Sequence, residues 1–512
     1  MYIQPLTNIR LLKDVPLDKT YDHTIYFSSQ TDQYNYFVGL QKYNLTNYTY
    51  QRVRKGVSRI GIKSENLYDC NYMMFQNTAF GDKWFYAFIT SVEYINNECS
   101  EIAFEIDVMQ TWFFDYTVDT CFVAREHSVS DNMFENLLPE PVELGEMVYN
   151  DSLSTMSPLS PLAVIVAVIK DDGGESTTLA QGKVYDGVFG GATLFAYNID
   201  DVDGINGKIA EYAQKENNIV SIYTAPVIAI GQAIPEGGME LGSNETPYHH
   251  VFELDNIDGT ETLNGYRPKN KKLYSYPYNM ISVVTPNGGE LKTRYEFFTG
   301  KPQFDIYCSI TQPVQATVFP KAYKGTERFV NECITINTFP ICSWAVDSYQ
   351  AWIAQQGVAS INRMLSSTIT GAVSGGGLGA GIGLVKGVSG LLMENYQASI
   401  ASDDSKGNFN NGGVTSGAKI NNFYIGRKCC KSQFARVIDD FFTRFGYATN
   451  QLKVPNRNSR PHWNYVQTVG CTLTGSIPSD DMRAICSIYD NGITFWKNGS
   501  EIGNYSLDNS PT

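Results

Sequence analysis

The chain reads as a mainly β protein with some α-helix, an α+β chain built from several domains. Its 512 residues exceed the roughly 100–200 typical of one domain. Aromatic residues are abundant, with 33 Tyr and 27 Phe, while only 18% of residues are charged. That balance suits half-buried pleated surfaces and excludes extended disorder, which needs low hydrophobicity and high charge. Short β-branched and aromatic runs recur between Gly, Asn and Pro turns, and helical periodicity surfaces in only a few places.

Residues 1–130 are expected to form a β-rich domain. Thr24–Phe27, Tyr36–Leu40 and Trp84–Ile89 are β-forming runs, and Glu101–Val108 alternates polar and apolar as a half-buried strand does. Residues 131–154 form an acidic connector with Pro139 and Pro141. A small α/β unit is expected over 155–235. Leu162–Ile169 is a continuous apolar run, the mark of a strand buried on both faces. Asp203–Asn217 has helical spacing through Ile205, Ile209 and Tyr212, and Ile219–Ile230 returns as a strand. Asp200-Asp201-Val202-Asp203-Gly204 lacks the spacing and terminal Glu of a calcium loop, so it reads as a turn and helix cap.

Residues 236–342 read as a second β-rich domain. His249 and His250 are adjacent, so in a strand they point to opposite faces and do not share a metal. Ile281–Val284, the Asn287-Gly288 turn and Thr293–Phe298 read as a hairpin. Over 343–365 the period becomes helical through Trp344, Asp347, Ala351, Ala354, Val358, Ile361 and Leu365. A long glycine-rich apolar loop follows over 366–419. Residues 420–512 are expected to be an α+β segment that completes the domain begun by residues 1–130. Its strands are expected at Asn422–Cys429, Val466–Thr474 and Gly492–Trp496, with helices at 431–446 and 478–488. Phe434, Val437, Ile438, Phe441 and Phe445 are the expected apolar face of the first helix, and Gly446 its cap.

The loop is the least ordinary stretch. No charge falls between Arg363 and Lys386, yet glycine recurs at 371, 375–377, 379, 381, 383, 387 and 390. A membrane helix needs about 20 apolar residues, but each glycine costs a helix about 1 kcal/mol. A permanent transmembrane anchor is therefore excluded. Composition alone leaves a flexible linker or a conditional, membrane-active segment. Gly375–Ala380 matches a dinucleotide-binding spacing without the strand and helix that give it meaning. No cofactor is expected.

The net charge of −14 opposes nucleic-acid binding, which rests on Lys and Arg neutralising phosphates. An acidic wall would instead let DNA slide past. The ten cysteines show no C-x-x-C spacing, so zinc and redox motifs are unsupported and reduced, buried thiols are expected. The opening residues lack the basic and apolar regions of a secretory signal. Glu135, Glu140, Glu143 and Glu146 supply carboxylates in the connector, but paired catalytic carboxylates are defined by their separation. No H-E-x-x-H occurs.

Several motifs together resemble a known family. Phe445-Gly446-Tyr447, Leu452–Pro455, Trp463–Val466, Gly470-Cys471, Gly475–Pro478 and Asn491–Trp496 carry the resemblance at the C-terminal end, with Met109–Asp115 and Phe122–His127 near the other. They are similar to the distal tail knob, or tail tube, proteins of small short-tailed phi29-like phages. The resemblance implies a structural virion protein at the tail tip, assembled in the host cytoplasm, and no enzyme. It implies a β-rich, tube-forming homo-oligomer, a hexamer, that meets other tail and collar proteins and through which DNA passes without specific binding. It also implies that the glycine-rich loop plugs the lumen and later enters the host membrane. The residues expected to insert are Ile369, Val373, Leu378, Ile382, Leu384, Val385, Val388, Leu391, Leu392 and Met393. Two other functions compete: a receptor-binding adhesin that recognises cell-wall glycan through exposed aromatics, and a wall-degrading enzyme using the connector carboxylates.

Overall fold

The computed structural model describes residues 6–48, 51–52, 56–157, 159–168, 183–189, 192–213, 219–324, 332–344 and 418–511. Within them the protein is mainly β with a few helices. It divides into two compact units, each gathered from separated stretches of chain. The first comprises residues 1–146, 259–278 and 430–512, the second 147–258 and 279–429.

In the first unit a seven-stranded sheet runs in the order Gln41–Tyr48, Thr7–Lys13, Cys70–Gln76, Trp84–Asn96, Cys99–Ile106, Gly56–Ile60, Gln51–Arg52. Both faces are apolar. Ile9, Leu11, Met73, Phe75 and Phe104 pack on one cluster, while Leu12, Tyr72, Met74 and Phe88 pack on another with Phe37. A five-stranded sheet joins chain ends: His23–Ile25, Ile493–Trp496, Trp463–Val469, Cys121–Glu126 and Tyr447–Lys453. Trp463 and Trp496 lie opposite each other in it, fully buried, with rings 5.1 Å apart.

One expected strand is a helix. Tyr36–Leu40 has strand propensity, but Gln30–Gly39 is helical. Ser29 caps it by accepting from the Asp32 N–H at 3.1 Å. Phe37 then stacks on Tyr72 at 5.3 Å and meets Tyr86 at 4.7 Å. A capped start and a buried aromatic outweigh the weak local preference of three residues.

The C-terminal helix spans Ser432–Phe445 and ends at Gly446, φ +63°, as expected. A Cβ there would stand 2.2 Å from the Glu126 carbonyl oxygen, so glycine is required by space as well as by conformation. The buried face is rotated from the expected one. Ala435, Ile438, Asp439 and Phe442 are buried, while Val437 is 68% exposed.

The second unit holds three main sheets. Leu162–Val168 is buried along its whole length at the centre of one, flanked on both sides by antiparallel strands, Thr193–Asn198 and Ile219–Pro226. The Val202–Ala213 helix lays Ile205 and Tyr212 over Val164, Val166 and Val168. Asp201 caps it, its Oδ1 accepting from Gly204 N–H at 3.0 Å, which is the cap expected of the acidic turn. Asn279–Val284 and Glu290–Thr293 form the expected hairpin, although Tyr295–Phe297 is a 3-10 turn and Phe298 opens the next strand. Ile341–Trp344 is a strand paired with Ser221–Tyr223, so the helical period read from 343 does not begin there. Its continuation to 365 lies outside the described residues.

Candidate functional site

The ten residues expected to enter a membrane, Ile369, Val373, Leu378, Ile382, Leu384, Val385, Val388, Leu391, Leu392 and Met393, lie outside the described residues, as does the Gly375–Ala380 run. The structure does place the two ends of the excursion that carries them, and both belong to the second unit. It leaves from Ile341–Trp344, the edge strand of the sheet centred on Leu162–Val168. Thr224 holds the approach to that strand, its N–H and hydroxyl donating to the Pro340 carbonyl at 2.9 and 2.8 Å. The chain returns through Asn422, whose Oδ1 accepts from Leu159 N–H at 2.7 Å. Phe423–Cys430 then enters the interior of another sheet, beside Asn279–Val284. Both ends are thus fastened by backbone ladders rather than by side chains alone. Among the described residues no helix is long and apolar enough to cross a membrane.

Glu135, Glu140 and Glu146 of the connector have structural partners. The Glu140 side chain is fully buried between Arg125 and Lys272, ion-paired to both, and also accepts from Ala448 N–H at 2.9 Å. Burial holds the Lys272 amine below its usual range, partly offset by Glu140. Glu135 accepts from Ser130 and Asn132, and Glu146 pairs with Lys431 at 2.7 Å. A buried carboxylate with two cations is a staple of the fold, not a general acid with room for substrate.

A second hub centres on Asp439, fully buried inside the C-terminal helix. Its carboxylate accepts from the Tyr266 hydroxyl at 2.6 Å, Lys269 N–H at 2.7 Å, Asn270 N–H at 3.0 Å and the Asn270 amide at 2.8 Å. Asp131 ties in beside it, accepting from Tyr447 at 2.6 Å and Lys271 N–H at 3.2 Å. These contacts bind residues 259–278 to the C-terminal helix within the first unit. Sequence reading missed the hub because its donors lie about 170 positions from Asp439. The one available signal was an aspartate at a helix position two turns from either end.

His127 is buried and pushed down to about 3, chiefly by burial and then by Arg460. Its Nδ1 accepts from Tyr465 N–H at 2.7 Å, which leaves Nε2 to donate to the Thr443 carbonyl at 3.1 Å. Neutral imidazole satisfies both bonds. His249 and His250 sit on the Tyr248–Glu253 strand, where His249 packs on Tyr307 and lies 3.2 Å from Asp305. No group of three or more metal-capable side chains is found among the described residues.

Comparison with known proteins places the chain in a class, the structural proteins of phage tails. Residues 5–117 match the N-terminus of the caudoviral major tail protein. Residues 248–510, more than half of the chain, match the C-terminal domain of tail knob protein gp9 of Bacillus phage phi29, and the chain belongs to that tail knob family. Tail knob protein gp9 of Bacillus phage PZA is 26% identical, and that of Bacillus phage B103 is 24% identical, each over 98% of both chains. The tail knob protein gp12 of bacteriophage C1 shares the fold, with a TM-score of 0.65 over 98% of this chain and 99% of that one, at 16% identity. The chain is a structural tail knob protein of a short-tailed phage and a component of the virion tail, and its relatives are not enzymes.

Proposed function

We propose that the chain assembles with copies of itself, as a hexamer, into the distal tube of the tail, in contact with the other tail and collar proteins. The genome leaves through this tube without specific binding, the acidic balance of −14 keeping phosphates from adhering. The 366–419 segment occupies the lumen before ejection and enters the host membrane afterwards. Assembly takes place in the host cytoplasm.

The observation that carries this reading is a charge-free, glycine-rich apolar run between Arg363 and Lys386, in a tail protein whose flanking strands are fixed in sheets. Packed against its copies, such a run hides its side chains from water. Against lipid, each buried Å² of apolar surface returns about 25 cal/mol. Glycines also permit close packing of segments within a bilayer.

Dye release from liposomes tests it, with the intact protein and with a variant lacking residues 366–402, while particle mass reports the ring. The expected outcome is a hexamer for both and release by the intact protein alone. A monomer for the intact protein, or equal release by both, contradicts the proposal. Capture of wall glycan with no release favours the adhesin function instead.

A further inference from the structure

Cys121, Cys471 and Cys486 come from three separate parts of the first unit: the start of the Cys121–Glu126 strand, the turn after Trp463–Val469, and the Ser479–Asn491 helix. Backbone register brings the first two together. Phe122 lies opposite Val469 and Val123 opposite Thr468. On the other side, Asp119 N–H donates to the Thr472 carbonyl at 3.0 Å. Between these points the two chains run antiparallel, so Cys121 and Cys471 stand one position from direct opposition. Adjacent strands lie about 4.7–4.9 Å apart with about 3.4 Å per residue along them, so an offset of one position falls within the roughly 4.4–6.8 Å Cα span of a disulfide.

Both side chains turn into one core cluster, Cys121 at 4% and Cys471 at 8% exposure, and Cys486 packs against it. Thiol contacts join Cys121 to Cys471 and Cys471 to Cys486. Asp490 fixes the turn, its Oδ1 accepting from Cys471 N–H at 3.0 Å. All three are free thiols, and Cys486 alone is half-buried rather than buried.

We propose that this trio is an oxidative cross-linking site, in which a small-molecule disulfide enters at Cys486 and leaves a Cys121–Cys471 bond. Cys486 loses its proton and attacks one sulfur of the small disulfide, whose S–S bond breaks and releases a thiolate. Cys471 attacks the Cys486 sulfur and expels the second small thiolate. Cys121 then attacks Cys471, and Cys486 returns as a thiol. Two cysteine thiols are oxidised, one small disulfide is reduced to two thiols, and the two protons pass to the departing thiolates.

Burial pushes all three thiols above their ordinary range, which makes the exchange slow at neutral pH and faster as pH rises. The bond would join the N-terminal and C-terminal segments of the first unit, enclosing the whole chain of the second. Long closed loops gain most from such a tie, and a virion component serves outside the reducing interior of a cell.

Incubating the full-length protein with oxidised glutathione, then mapping peptides without reduction, tests this. The expected product is a Cys121–Cys471 linked peptide, with two thiols lost from the ten of the chain. A Cys486→Ala variant should form the same link at least tenfold more slowly, and a Cys121→Ala variant should give Cys471–Cys486 instead. Thiol loss without any Cys471-linked peptide in the unmutated protein overturns the proposal. So does an unchanged rate in Cys486→Ala, with its circular dichroism spectrum intact.

Discussion

Asp439 shows what a single buried carboxylate holds. Four donors converge on it from residues 266–270, and replacing it strands all of them in the interior. Charge-assisted bonds contribute about 1.5–3 kcal/mol each, and unsatisfied buried donors add their own cost. Asp439→Ala is therefore expected to destabilise the first unit by about 3 kcal/mol or more, read from the urea midpoint of the fluorescence of Trp463 and Trp496, which are buried in that unit.

His127 gives a pH signature. Its folded value, about 3, lies below the ordinary 6.5. The unfolded chain binds the proton first, so the stabilisation is complete above pH 6.5 and drains away as pH falls toward 3. At pH 4.5, about two units below the ordinary value, the loss is on the order of 3 kcal/mol. Asp107 acts in the opposite direction. Burial raises it from 3.8 to about 6, so its contribution is present below pH 3.8 and is lost as pH rises through 6. The two offset one another between pH 4 and 6. A His127→Gln variant removes one side of that balance. Its urea midpoint is expected to approach or pass that of the unmodified protein as pH falls from 7 to 4.5; a constant gap between the two would rule this out.

Among elements, the Ser432–Phe445 helix separates what pattern reveals from what only packing decides. Its existence, limits and glycine cap were all legible from a period of three to four residues. Its orientation was not, because apolar residues at 434, 437, 438, 441, 442 and 445 cover much of its circumference, and Asp439 on the buried side runs against hydrophobic patterning. The structure turns Phe442 fully inward and leaves Val437 68% exposed. Phe442→Ala is thus expected to cost about 3–5 kcal/mol, and Val437→Ala less than about 0.5 kcal/mol, by the same urea measurement. Similar costs for the two would return the helix to the face read from sequence.

The Gln30–Gly39 helix was hidden for the converse reason. Tyr36-Phe37-Val38 favours a strand locally, and only the Ser29 cap and the aromatic pocket of Tyr72 and Tyr86 favour a helix. By contrast, Leu162–Val168 was plain to read, since a run buried on both faces has no polar side to obscure it. The anchors of the candidate loop were beyond reach. Leu159 with Asn422, and Thr224 with Pro340, are pairings that only the folded chain creates.

At the scale of the whole molecule, the mainly β class and the tail knob family were both legible, the first from composition and the second from motifs near both ends of the chain. The place of residues 259–278 in the first unit, and the joining of 147–258 with 279–429 in the second, were not, because chain order conceals which segments return to the same core. The buried Arg125–Glu140–Lys272 cluster illustrates this: Lys272, from a distant stretch, joins a pair near the N-terminal end and fastens one unit. Glu140 is committed in this way to holding the fold, and a zymogram on host cell wall is expected to stay blank.

The central claim, that the glycine-rich segment enters the host membrane, is met most directly by labelling from within the bilayer. Assembled protein is incubated with liposomes carrying a lipid-confined photoactivatable carbene probe, and modified peptides are then mapped by mass spectrometry. The account predicts label concentrated between Ile369 and Met393 and absent without vesicles. Label confined to other parts of the chain, or none on that stretch under conditions that release dye, would contradict it.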